Sequence, residues 1–277
     1  MTDIKKLKKG SSSSFFRNSD IETIKRYSEL KIQAMEISSD HDYYLNTLKL
    51  SERADEYKKA SQEYGVDLWS IHLPFSERLD ISNPCDEDRD YIIKLNEKLI
   101  TDAALAGIKV AVLHPSSEPI SDDKRQMRFD RSRSAIEYLN KIAKRNGVIL
   151  AIENLPRTCL CNRSEEMIKL LSGIDGITVC FDTNHSLYED NICFLNNLIS
   201  NNLKIQTLHI SDYDGIDERH RLPGDGINKW SEMLSVLANS NYSGPLMYEI
   251  SAQPRERDPI PDTALSENME LLVNNKL

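Results

Sequence analysis

No apolar run in this 277-residue chain approaches the ~20 residues a bilayer-spanning helix needs, so no membrane span is expected. The N-terminal stretch MTDIKKLKKGSSSS is basic but lacks the apolar segment of a secretory leader. Cysteine is scarce: five residues at irregular positions make no disulfide framework and fit reduced thiols in a cytoplasmic protein. Cys159 and Cys161 form a lone C-x-C, which without a second pair is not a metal motif. Positive charge is also short, with 35 Lys and Arg against 44 Asp and Glu and a net charge of −9. A phosphate backbone is bound mainly through Lys and Arg, so nucleic acid is disfavoured as a partner, although net charge does not exclude a local basic patch. No Pro/Gly/Ser-rich linker divides the chain, and residues 1–277 are expected to form a single domain.

What is present is a repeated unit. YGVDLWSIH (64–72), AGIKVAVLH (106–114), NGVILAIE (146–153) and DGITVCFD (175–182) each follow a Gly with a run rich in Val, Ile and Leu. Each run closes on His, His, Glu or Asp. A Gly after a helix supplies the left-handed position that ends it, and short continuous apolar runs fit strands buried on both faces of a parallel sheet. Helical spacing precedes the glycines: Ile92, Leu95 and Leu99 before Gly107, and Ile136, Leu139 and Ile142 before Gly147. Ser164 reads as an N-cap, with Glu165 and Glu166 in the first turn and Met167, Leu170 and Leu171 behind them. IQAMEIS (32–38), KIQTLHIS (204–211) and PLMYEIS (245–251) extend the series, and the polar stretch KKGSSSSFF (8–16) is the candidate eighth strand. About eight strand–helix units in a chain of this size indicate a (β/α)8 barrel. A doubly wound open sheet is the alternative, but no G-x-G-x-x-G follows the first strand.

In such barrels the chemistry gathers at the C-terminal ends of the strands. Seven strands end on a polar residue: Glu36, His72, His114, Glu153, Asp182, His209 and Glu249. Any one has an ordinary explanation; Asp182 in CFDTNH (180–185) could be a helix cap and His185 a surface residue of the first turn. Seven together are hard to read as independent accidents. Two like charges ~4 Å apart repel by about 4 kcal/mol at an effective dielectric of 20, so converging carboxylates call for protons or a cation. Carboxylates mixed with imidazoles suit a divalent metal: Mn, Mg or Co where oxygen dominates, Zn as the imidazole share grows. One metal needs about four of these ligands, and the full set could hold more than one. The stretch ERHRLPGDG (218–226) lies in the loop after the seventh strand. There Glu218 and His220 could approach from above, while Asp225 reads as solvated. Arg157 could fix an anionic or hydroxyl-rich substrate, or serve as a surface ion-pair partner. Trp69 and Trp230 are expected in the core, and His41 in solvent.

The ordered set I-H-L-P-F, L-H-P, E-N-L, F-D-T-N-H, L-H-I-S-D, H-R-L-P-G-D-G and Y-E-I resembles the xylose isomerase-like TIM-barrel superfamily along nearly the whole chain. Its sugar and sugar-phosphate isomerases and epimerases imply one divalent metal on Glu153, Asp182, His209 and Glu249. In that branch the two glutamates also move protons at substrate carbon, and His185 contacts a substrate hydroxyl. The ketose 3-epimerases carry another acid shortly after the first glutamate, where this chain has Thr158 and Cys159. The endonuclease IV-type AP endonucleases imply up to three zinc ions instead. Their ligand pattern maps onto His72, His114, Glu153, Asp182, His185, His209, His220 and Glu249, with Glu218 where those enzymes have Asp. A barrel that binds a sugar or metal without catalysis is a third reading. The retained pair Glu153 and Glu249 favours an enzyme, the strand-end ligand set makes an isomerase or epimerase acting on a small sugar-derived substrate the expected one, and assembly as a homo-oligomer is compatible with it.

Overall fold

The computed structural model describes residues 1–38, 49–253 and 258–277; His41 lies outside the described residues. Eight parallel strands form one sheet: β1 Lys9–Ser12, β2 Ala34–Ser38, β3 Asp67–His72, β4 Val110–Leu113, β5 Ile149–Glu153, β6 Thr178–Asp182, β7 Ile205–His209 and β8 Leu246–Tyr248. Their order is β7-β6-β5-β4-β3-β2-β1-β8, and a parallel bridge between Ile210 and Tyr248 joins the two ends. The α-helices among the described residues are α1 Ile21–Glu29, α2 Ala54–Tyr64, α3 Asp86–Leu105, α4 Asp122–Arg145, α5 Ser164–Leu171, α6 Asn191–Ser200, α7 Trp230–Asn239 and α8 Asp262–Val273, and two short 3-10 helices span Ile4–Lys6 and Ser13–Phe15. This is a (β/α)8 TIM barrel. No described helix is long and apolar enough to cross a membrane, and all five cysteines are free.

The helices bury the faces that their spacing foretold. Ile92 and Leu99 of α3, Ile136 and Leu139 of α4, and Met167 and Leu170 of α5 are all buried in one continuous core between helices and strands. Gly65, which ends α2, has φ +67°, a left-handed conformation that costs Gly little. One cap differs from expectation. Ser164 is the first residue of α5 rather than its cap, and both its N–H and its hydroxyl donate to Glu189, at 2.8 Å each. A carboxylate from the next strand–helix loop therefore satisfies the helix N-terminus.

The polar first strand survives burial because its serines find partners. Tyr27 Oη donates to the Ser12 carbonyl at 2.6 Å, and the Ser38 N–H donates to Ser13 Oγ at 2.8 Å. Unpaired, these groups would each cost about 1–3 kcal/mol.

Inside the barrel, strand alternation stacks small apolar residues beneath polar ones. Val110, Val112, Ala151 and Cys180 form a separate buried cluster. Two residues further along the same strands stand His114, Glu153 and Asp182, on the same inward face. Trp69 departs from expectation in being only partly buried. It is skipped in the β2–β3 register, where Met35 pairs Leu68 but Glu36 pairs Ser70. This bulge sends its indole against the small inner cluster, with Nε1 donating to Thr207 Oγ1 at 3.2 Å. Trp230 is buried as expected, and its Nε1 donates to Asp212 at 3.0 Å.

Candidate metal centre

The seven strand-end residues do converge, and Glu153 is their hub. Its Oε2 lies 3.2 Å from His72 Nε2 and 3.2 Å from His114 Nε2. Its Oε1 lies 3.0 Å from His209 Nδ1 and 3.5 Å from His185 Nδ1. Glu249, just past β8, brings Oε2 to 3.3 Å from His209 Nδ1, and Asp182 Oδ2 lies 3.8 Å from the same nitrogen. One donor atom from each of Glu153, Asp182, His209 and Glu249 falls within 4.8 Å of the other three. His72, Glu153 and His209 make a second such group, and His185, Glu218 and His220 a third.

Glu36 has a different place. It is fully buried, pairs with the far nitrogen of His209 (Nε2 to Oε1, 3.1 Å), accepts from Ser70 Oγ at 2.7 Å, and is not among the cavity-lining residues. It therefore orients His209 so that Nδ1 faces the other carboxylates.

The electrostatics are those of a site built around positive charge. Burial alone would raise Glu153, but His209 and His114 hold it well below the usual carboxylate range. Asp182 is pushed up to about 7, by burial first and then by Glu153 and Glu249. Burial opposes a charge on His72, yet Glu153 pushes its imidazole up to about 9. In the same way Asp182 and Glu218 push His185 up to about 10 against the effect of burial. His114 runs the other way, lowered by burial. Asp182 Oδ2 is buried without a hydrogen bond, and Glu36 Oε1 and Glu153 Oε2 face only imidazole nitrogens. A buried carboxylate oxygen in the state of Asp182 Oδ2 fits a cation better than it fits protein donors alone.

Above the cluster opens a cavity of about 570 Å³, lined among others by Glu153, His185, Glu218, His220 and Glu249. Phe75 forms part of its wall, stacked on His114 with ring centroids 3.9 Å apart. Arg157 lies at the rim with its guanidinium shared by Glu118 (2.5 Å), Asp217 (2.7 Å) and Glu218 (2.5 Å). It ties three strand–helix loops together and holds Glu218, whose other oxygen is 3.0 Å from His185 Nε2. Asp225 is exposed, as its loop position suggested.

Three positioning residues carry no signal beyond their presence in the quoted motifs. Asn154 pairs with the backbone of Asp182 through both amide atoms (2.7 and 2.9 Å), and its carbonyl receives His185 Nδ1–H at 2.9 Å. Asn184 Oδ1 accepts from the N–H groups of Arg219 and His220, at 3.1 and 3.3 Å. Asp212 is fully buried and accepts from the N–H groups of Tyr213, Gly224 and Asn228 and from Trp230 Nε1. Gly226 completes this anchor, since a Cβ there would meet Asp212 Oδ1 at 2.3 Å. Together these contacts fix the loop that carries Glu218 and His220.

Residues 24–274 match the family described as xylose isomerase-like TIM barrel. The chain belongs to that family. An uncharacterized protein of Methanocaldococcus jannaschii is 25% identical over 276 residues, covering 95% of this chain and 89% of its own. The solved structure of a D-tagatose 3-epimerase-like protein matches with a TM-score of 0.80 at 24% identity, covering 98% of this chain and 99% of the other. A 3-keto-D-glucoside 4-epimerase from E. coli matches at 0.77 and 22% identity, over 97% and 100% of the two chains. At these identities the likeness to the solved structures is one of fold.

Proposed function

We propose that the protein is a divalent-metal-dependent isomerase or epimerase of a sugar, sugar phosphate or related polyol. The observation that carries this reading is the group Glu153, Asp182, His209 and Glu249 at the base of the cavity, with the buried Oδ2 of Asp182 left without a hydrogen bond. Three carboxylates and one imidazole suit Mn, Co or Mg, and a Zn ion where further imidazoles join. A bound divalent ion supplies Lewis acidity toward a substrate carbonyl and its neighbouring hydroxyl. Glu153 and Glu249 come from β5 and the end of β8 and both line the cavity, so one can take a proton from substrate carbon while the other returns one. Buried His209 and His114 hold Glu153 in its charged form. Fold relatives whose names specify carbohydrate epimerases support the substrate class.

The test is solvent exchange. Metal-loaded protein in D2O is expected to place deuterium at the epimerised or isomerised carbon of a ketose or ketose phosphate, and chelation should abolish it. Turnover that survives exhaustive chelation would remove the metal from the mechanism.

Glu36 gives a second measurement on the same reading. Replacing it with Gln removes the charge behind His209, and metal affinity should fall about 10–100-fold while the barrel remains folded. Calorimetric titration with Mn²⁺ reads this directly, and an unchanged affinity would deny Glu36 its positioning role.

A three-zinc AP endonuclease is the second reading, favoured by the donor group His185, Glu218 and His220 beside His72 and His114. Against it, Arg157 at the rim is already shared by three carboxylates, and the net charge is −9. Zinc-dependent nicking of duplexes containing an abasic site would decide in its favour.

A further inference from the structure

The barrel has a second cavity at its opposite end. About 730 Å³ in volume, it opens among the first residues of β5, β6 and β7 and the loops that lead into β6 and β7. The metal cluster stands at the C-terminal ends of the same strands, and the two cavities share no lining residue. Ile149, Leu171, Ile177 and Leu203 give the second cavity apolar walls. Its charged residues, Asp175 and Lys204, are exposed, and Asp175 is paired with Lys144 at 2.6 Å. Thr178 is also committed, its hydroxyl donating to the Leu150 carbonyl at 2.8 Å.

Gln206 is the exception. It lines the cavity at 8% exposure, and its Oε1 is buried without a hydrogen bond. Its Nε2 makes none among the described residues either. The sheet explains where this side chain stands. Val179 pairs with Ile205 and Cys180 with Thr207, so Gln206 is the extra residue of a bulge. A bulge at the rim of a barrel takes a side chain out of the strand's alternation and re-aims it. On β3 the same device turns Trp69 toward Thr207, where the indole has a partner; the amide of Gln206 has none. A buried amide oxygen without a partner is destabilising, and an apolar side chain of the same shape would avoid that loss. The terminal torsion of glutamine is broad, so the amide can turn its oxygen toward a group in the cavity.

We propose that this cavity is a second small-molecule site, for a neutral ligand with an apolar body and an edge that sets an N–H donor beside an acceptor. A primary amide offers one acceptor and two donors side by side, and it pairs in bidentate fashion with such an edge. A carboxamide and the amino edge of a purine share that chemistry. The apolar walls take the body of the ligand, Gln206 fixes its orientation, and the volume lies within the range of small-ligand sites. Lying at the other end of the barrel, the site is independent of the chemistry at the metal cluster.

Binding, rather than turnover, tests it. Isotope-labelled full-length protein is titrated with two ligand pairs and followed by NMR: nicotinamide against 3-methylpyridine, and adenosine against purine riboside, which lacks the amino group. The side-chain amide signals of Gln206, assigned by triple resonance, report contact in the wild type. Nicotinamide, adenosine or both should shift these signals to saturation and bind about tenfold more tightly than the pair member without the edge. Gln206→Leu should erase that preference while circular dichroism stays that of the wild type. The pair that responds identifies the source of the edge. Binding that leaves the Gln206 amide unmoved, equal affinities within both pairs, or a preference that survives Gln206→Leu would overturn the proposal. So would the absence of binding by all four, since water alone would then serve the amide. If Gln206→Leu fails to fold, the wild-type titration decides by itself.

Discussion

Turnover is expected to vanish when Glu153 is replaced by alanine, with the barrel still formed. One positioned acid or base contributes about 10²–10⁴ in rate, and Glu153 is also a candidate metal ligand, so kcat/KM should drop by at least about 10³-fold. The geometry gives the reason for so large an effect. Both carboxylate oxygens are used: Oε2 faces His72 and His114 at 3.2 Å, and Oε1 faces His209 at 3.0 Å. No neighbouring acid can take over, because Asp182 is tied through Oδ1 to the Asn184 N–H, and Glu249 approaches His209 from another strand. The same change removes the carboxylate that keeps His72 charged, so that imidazole should return toward its ordinary value. Steady-state kinetics, metal content by mass spectrometry and circular dichroism separate the effects. Turnover near that of the wild type would remove Glu153 from the mechanism, and an unfolded variant would show that its role is structural.

The strand endings were legible because a barrel strand repeats every two residues. Ala151 and Glu153, Cys180 and Asp182, and Thr207 and His209 each place a small residue below and a polar one above, so the polar ends converge once the strands are recognised. The position of Glu36 behind His209 was not legible. It depends on the register shift beside Trp69, which moves the pairing from Leu68 to Ser70, and a bulge of one residue leaves little trace in hydrophobic spacing. Arg157 likewise could be read as a substrate ligand or as an ion-pair partner, because Glu118, Asp217 and Glu218 arrive from two other loops. Ser164 misled for a related reason: a cap is a local signal, and Glu189 replaced it through a contact that only the folded chain makes. The cluster was thus readable at the level of strand ends, whereas its supporting contacts, such as those of Asp212, belong to loops whose paths the spacing does not fix.

The second large effect is a change in how stability responds to pH when metal is removed. His72 is pushed up to about 9 and His185 to about 10, from an ordinary 6.5, because nearby carboxylates outweigh burial. A raised imidazole stabilises the fold fully below its unfolded value and loses that contribution as pH rises through its folded value. Asp182, pushed up to about 7 chiefly by burial, acts with the same sign over a window that begins at its ordinary 3.8. His114 is lowered, so its opposite contribution changes only below 6.5. Metal-free protein should therefore lose stability between pH 6.5 and 9, on the order of 3 kcal/mol from His72 alone. A divalent ion among Glu153, Asp182, His209 and Glu249 removes the reason for the neighbouring imidazoles to stay protonated. Its binding should release protons, and its affinity should rise with pH. Thermal unfolding across this window, with chelator and with Mn²⁺, gives the comparison, and calorimetry in two buffers of different ionisation enthalpy counts the protons. A falling Tm in chelator against a flatter one in Mn²⁺ is the expected pair of curves. Parallel curves, or binding without proton release, would mean that the carboxylate cluster is neutralised by its own histidines and has no need of an ion.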